Sequence, residues 1–125
     1  MQKHARGPFE VKLSPVPDEN PIGRLLIDKK FHGDLEAASQ GQMLAFRSQV
    51  QGSAGYVAME RVTGTLHGRT GTFVLQHTGT MSRGEQQLSV TVVPDSGTGE
   101  LEGLSGRMTI VIADGKHSYE FDYSI

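Results

Sequence analysis

Two residues stand where an alternating apolar pattern would place something else. In "YVAMERV" (56–62) and "FVLQHTG" (73–79) the in-phase positions read Tyr56, Ala58, Glu60, Val62 and Phe73, Leu75, His77, so a carboxylate and an imidazole share the apolar phase. Burying a polar group without a partner costs about 1–3 kcal/mol, so both must find one. On adjacent strands one diagonal step apart, their backbones lie about 7–8 Å from each other, within side-chain reach. A carboxylate that orients an imidazole supplies a general base, or an anchor for a ligand's polar group. Glu60 and His77 are therefore the catalytic candidates. The plainer alternative is a buried Glu–His hydrogen bond that satisfies only itself. Lys29 is in phase with Leu25, Ile27 and Phe31, and points inward if that strand is regular, toward Glu60 or a ligand carboxylate. A stem that long more often snorkels past a bulge to solvent. Tyr56, Tyr119 and Tyr123 each offer an aromatic wall and one hydroxyl, or simply fill the core.

Other chemistries are disfavoured. The five histidines, at 4, 32, 67, 77 and 117, show no H-x-H or H-x-x-x-H spacing; His77 and His117 both face inward but lack a third ligand, so no metal site is expected. With no cysteine there is no disulfide, thiolate nucleophile or Cys-based zinc site. No G-x-S-x-G elbow exists, and "GTGELEG" has neither the spacing nor the helix of a dinucleotide fingerprint, so no cofactor is called for. A net charge of −2 without a basic run argues against nucleic-acid binding. No stretch approaches the ~20 apolar residues of a membrane span, and "MQKHARGPFEVK" lacks the apolar centre of a signal peptide, so a cytoplasmic protein without a membrane partner is expected.

The elements that must hold these residues are strands. The 125 residues suit a single domain, 1–125, with residues 1–6 as a flexible N-terminus. Sixteen glycines separate short alternating segments, giving strands near 7–14, 24–36, 43–51, 54–65, 71–80, 86–94, 99–112 and 116–125; the proline-rich "PVPDENP" at 15–21 is a loop. Turn chemistry sets the registers. A turn at Asp114-Gly115 puts Ile112 opposite His117, Ile110 opposite Tyr119 and Met108 opposite Phe121. One at Arg83-Gly84 pairs His77 with Val90 and Leu75 with Val92, and one at His67-Gly68 pairs Ala58 with His77 and Val62 with Phe73. All three agree on one buried face, which also takes in Leu88 and Tyr123. A turn near Ser39-Gln40 would set Leu35 opposite Leu44, Gly33 opposite Phe46 and Phe31 opposite Ser48. With no helix to cover an open sheet, the expectation is an all-β, closed antiparallel barrel of about eight strands, or alternatively a two-layer sandwich.

One glycine spacing is written twice: "GTLHGRTG" at 64–71 returns as "GELEGLSG" at 99–106, and "GDLEAAS" at 33–39 keeps its first half. Each copy places a leucine, Leu35, Leu66 or Leu101, at an equivalent corner with glycines that permit tight turns. The segments "GTLHGRTGTF" and "SGTGELEGLSG" resemble the glycine signatures of allene-oxide-cyclase-like and dirigent-like barrels. The fuller run of "GDLEAAS", "GSAGYVAMERVTGTLHGRTGTFVLQHTG" and "PDSGTGELEGLSG" resembles closely the bacterial domain of unknown function family 3224, placed in that barrel group, over about residues 7–125. The resemblance implies an eight-stranded barrel, often a homo-oligomer, with a central cavity. The plant cyclases act on a fatty-acid epoxide, but their catalytic motif finds no match here and no catalytic residue is carried over.

The leading expectation is a small-molecule-binding barrel with an apolar ligand. Its cavity, several hundred Å³ in size, would be lined by Tyr56, Phe73, Leu75, Val90, Ile110 and Tyr119, with Glu60, His77 and Lys29 as polar contacts. An isomerase or cyclase acting on a lipid-like substrate, and a filled structural barrel that associates through an apolar outer patch, are the alternatives.

Overall fold

The computed structural model describes residues 2–17 and 19–125. Eight strands follow one another around a closed barrel: β1 Gln2–Val16, β2 Gly23–Phe31, β3 Leu35–Arg47, β4 Ala54–Leu66, β5 Arg69–Ser82, β6 Glu85–Val92, β7 Ser105–Ala113 and β8 Lys116–Ser124. Each pairs antiparallel with its neighbour in sequence, and β1 closes the ring against β8. A 3-10 turn, Gly99–Leu101, lies between β6 and β7. Among the described residues no helix is long and apolar enough to cross a membrane.

Three hairpins have the registers that their turns dictate. His67, Arg83 and Asp114 sit at φ of 46°, 51° and 53°, each followed by a glycine with positive φ, the two-residue turn whose twist matches that of its strands. Ala58 accordingly faces His77, His77 faces Val90, and Ile112 faces His117.

The β2–β3 turn differs from expectation. It falls at residues 32–34, where Gly33 takes φ +95° and its amide donates to Glu36 Oε1 at 2.7 Å. Ser39 and Gln40 have no such conformation to offer and lie within β3. Phe31 therefore faces Ala37, Lys29 faces Ser39, and Leu35 faces Leu66 rather than Leu44. Residues 2–6, expected to be flexible, instead form rungs with β8 from Gln2↔Ser124 to Arg6↔Glu120, with Ala5 fully buried. Gly7 permits this, since a Cβ there would stand 2.0 Å from the His32 carbonyl oxygen. Residues 99–104, expected as strand, are the 3-10 turn and its exit, which bury Leu101 and Leu104. The expected loop at 15–21 begins two residues late, since Pro15 and Val16 belong to β1; Asp18 lies outside the described residues.

The two ends of the barrel differ. At the end that carries the 32–34 and 67–68 turns, Leu35, Leu66 and Leu101 of the repeated motif are all buried, together with Phe73, Phe121 and Tyr123. Phe121 stacks on Phe73 and Tyr123, with centroids 5.9 and 5.3 Å apart. That half is filled. At the other end the loop around Gly52 accepts the amide of Gly84 at 2.9 Å. Here Leu88 and Ile112, in phase with the core and expected to be buried, are 47% and 66% exposed. The β6–β7 ladder is only two rungs long, Val90↔Met108 and Thr91↔Arg107, although both strands run on toward this mouth.

Candidate functional site

Four consecutive strands deliver one polar cluster to the lumen: Lys29 from β2, Ser39 from β3, Glu60 from β4 and His77 from β5, all nearly inaccessible to water. Glu60 is their hub. Its Oε2 accepts from Lys29 Nζ at 2.8 Å and from His77 Nε2 at 2.6 Å, while Oε1 accepts from Ser39 Oγ at 2.8 Å. Gly41, opposite Glu60, lets β3 and β4 approach closely here, because a Cβ there would lie 2.1 Å from the Met59 carbonyl oxygen and 2.8 Å from Glu60 Cβ. Lys29 does not snorkel. Its ammonium sits 5.0 and 5.4 Å from the ring centroids of Phe9 and Phe31, so cation–π attraction adds to the ion pair.

Burial alone would push the Glu60 carboxyl up. The hydrogen bond from His77 and the charge of Lys29 together outweigh it and hold the group at about 2, well below its ordinary 4.5. A carboxylate only accepts, so His77 Nε2 must carry the proton it shares with Glu60, and in the neutral ring Nδ1 is the bare acceptor. No protein partner for Nδ1 is present among the described residues, although no enclosed side-chain nitrogen or oxygen is left unpaired. The free nitrogen therefore borders open space.

His77 lines a cavity of about 130 Å³ above the filled half. Phe9, Ile27 and Ile110 give it apolar walls, and Lys29, Glu60, His77, Tyr56 and His117 its polar groups. The Tyr56 ring centroid lies 6.4 Å from that of His77; burial first, and then the Glu60 charge, raise its phenol above the ordinary value. Met43 and Tyr56 also line a vestibule of about 600 Å³ that runs out past Phe46 and Leu88 at the mouth. A broader depression of about 760 Å³ lies along the outer wall, where Leu44, Val57 and Met59 alternate out of phase with Ala58 and Glu60, and Glu60 and His77 line it too. Among the described residues no three His, Asp or Glu side chains converge as metal ligands.

A family model described as a protein of unknown function, DUF3224, matches residues 5–123. The chain belongs to the DUF3224 family. A solved structure of a DUF3224 protein with unknown function, from Shewanella oneidensis MR-1, is 48% identical and superposes with a TM-score of 0.96, covering 100% of this chain and 98% of its own. Among curated proteins none matches.

In this DUF3224 barrel the expected site residues divide by height. Lys29, Tyr56, Glu60, His77 and Ile110 meet at the cavity, whereas Phe73, Leu75, Val90 and Tyr119 belong to the packed core. The Tyr119 hydroxyl holds the β2–β3 turn, accepting from the Leu35 amide at 2.8 Å and donating to the His32 carbonyl at 2.8 Å. Ser39 and Phe9 were not among the expected site residues. The sequence places Ser39 at a turn; with the turn at 32–34, the serine falls in the apolar phase of β3, the same signal that exposes Glu60.

Proposed function

We propose that the barrel binds a small neutral molecule with an apolar body and a hydroxyl head, an alcohol or a phenol, at the inner end of the mouth. The observation that carries this is the Nδ1 acceptor of His77, without a protein partner, on a residue that lines a cavity whose other polar groups stand among apolar walls. The charges beside it are already compensated, because Lys29 is engaged with Glu60; an anionic ligand would have to displace that carboxylate or sit next to it. Size supports the same reading. A cavity of about 130 Å³ compares with the roughly 150 Å³ that accommodates benzene, so the inner chamber suits one ring or a short alkyl segment.

The test is calorimetric titration with phenol and with toluene, which fill similar space. Phenol should bind about tenfold more tightly, the worth of one hydrogen bond to a buried acceptor. His77→Phe should abolish the difference. Equal affinity for the two, or no saturable binding of either at millimolar concentration, would overturn the reading.

A second reading, proton transfer on a bound carbonyl compound, is favoured by the fixed tautomer alone. Glu60 orients the ring so that Nδ1 is the base. It requires catalysed deuterium uptake at the α-carbon of cyclohexanone in D₂O, lost in His77→Phe; uptake at the rate of buffer alone would sink it.

A further inference from the structure

The wall of the barrel parts between β6 and β7. The β5–β6 ladder runs from Leu75↔Val92 to Ser82↔Glu85 and the β7–β8 ladder from Ser105↔Ser124 to Ala113↔Lys116, so the outer neighbours of both strands pair along their full length. Between β6 and β7 the rungs stop at Val90↔Met108. Beyond that point Glu85–Ser89 and Thr109–Ala113 continue as strands without pairing to each other. The inward residues there behave accordingly: Ile112 faces His117 across β7–β8 and Leu88 faces Gly79 across β5–β6, yet both are open to solvent.

Residues that flank this slot also line the site. Ile110 and His117 line the inner cavity, Leu88 lines the vestibule, and the Tyr56 ring lies against Gly79, where a Cβ would come within 2.3 Å of it. His77 faces Val90 at the last rungs of the ladder, and outward from those rungs the next inward residues are Leu88 on β6 and Ile110 and Ile112 on β7. All three side chains are aliphatic, and no charged side chain lies on the inward phase of either unpaired segment beyond Ile110 except at its exposed tip.

We infer that the ligand is a straight-chain amphiphile, a long-chain alcohol, whose hydroxyl sits at His77 and whose alkyl chain leaves the lumen sideways through the β6–β7 slot. This rests on the binding reading above and adds to it the class of ligand and its path. The inner cavity holds the first carbons of the chain, and the remainder lies against Leu88 and Ile112, covering apolar surface that the barrel leaves exposed.

The experiment is a calorimetric series with 1-butanol, 1-hexanol, 1-octanol and 1-decanol on the wild-type chain, His77→Phe and the double variant Leu88→Ser/Ile112→Ser. The double variant changes only exposed side chains, and its unfolding midpoint should match wild type. Wild-type affinity should keep rising beyond hexanol, up to about fourfold per added methylene. The double variant should bind butanol and hexanol as wild type does and lose the gain beyond hexanol; His77→Phe should weaken every member by a similar factor. A wild-type series that is flat beyond hexanol, or one whose rise survives in the double variant, overturns the slot and leaves the inner site standing. Failure of every alcohol to bind overturns the inner site, and the slot inference with it.

Discussion

His77 reaches Glu60 across one diagonal step of the β4–β5 ladder, Nε2 to Oε2 at 2.6 Å, and that bond decides which nitrogen of the imidazole is left for anything else. The same carboxylate holds Lys29 and Ser39. One side chain thus ties four strands together where the packed half of the barrel gives way to the open half.

Removing that hub should be costly in an asymmetric way. Glu60→Gln leaves the buried Lys29 ammonium without its counter-ion, and urea denaturation should show a loss of about 3–5 kcal/mol. Lys29→Met leaves Glu60 with two of its three donors and should lose less. The double variant should recover most of the Glu60→Gln deficit; a double variant no more stable than Glu60→Gln alone would show that the ion pair is not the cause.

Acid should expose the same carboxylate. Its folded value of about 2 lies below its ordinary 4.5, so its contribution is complete above about pH 4.5 and is lost as pH falls through 2. Over that window wild type should shed about 3 kcal/mol more than Glu60→Gln, from a displacement of this size at 1.36 kcal/mol per unit. Parallel stability curves for the two proteins between pH 5 and 2 would refute the assignment.

Tyr119→Phe should destabilise the fold by about 1–3 kcal/mol, because the buried Leu35 amide loses its acceptor. Amide exchange at Leu35 should accelerate more than at Val62, which is equally buried. The phenol itself is pushed up to about 12, chiefly by burial. In wild type one tyrosine should therefore ionise late in an ultraviolet titration, and that late phase should vanish in the variant. Since the unfolded phenol ionises near 10, stability should also fall between pH 10 and 12, and less so in Tyr119→Phe.

Two glycines of the repeated motif should respond differently to alanine. At Gly68 nothing lies within 4 Å of an added Cβ, so only the φ of +80° is strained, at a cost of about 1–2 kcal/mol. At Gly71 the Cβ would stand 2.0 Å from the Thr98 carbonyl oxygen and must push the 3-10 turn, with Leu101, out of the closed end. Gly71→Ala should thus be the more damaging of the two by thermal melting.

The hairpins were legible in the sequence because each is closed by a residue and a glycine that accept positive φ, and alternation then carries the register along the strands. That logic brought Glu60 and His77 together correctly. It fails at Ser39-Gln40, where a polar pair beside Gly41 looks like a turn, although Gly41 stays in the strand and the glycine that takes positive φ is Gly33. Residues 2–6 were illegible for a different reason. Their partner is β8, at the far end of the chain, and no local pattern announces a pairing made only when the ring closes. Alternation could not distinguish Leu88 and Ile112 from Val90 and Met108 either, since it specifies a face and not whether a neighbouring strand is there to cover it.

Ring closure has a kinetic meaning as well. Seven of the eight strand pairings join sequence neighbours, and hairpins with two-residue turns form within about 1–10 μs. Only the β1–β8 seam joins residues as distant as His4 and Asp122, 118 positions apart, so its formation bears the entropy of closing nearly the whole chain. Closing that seam is also what leaves the sheet with no free edge for another chain to pair with. Gly7, which lets β1 pass close beneath the His32 carbonyl, therefore serves the closure of the ring, at the end of the barrel away from the site.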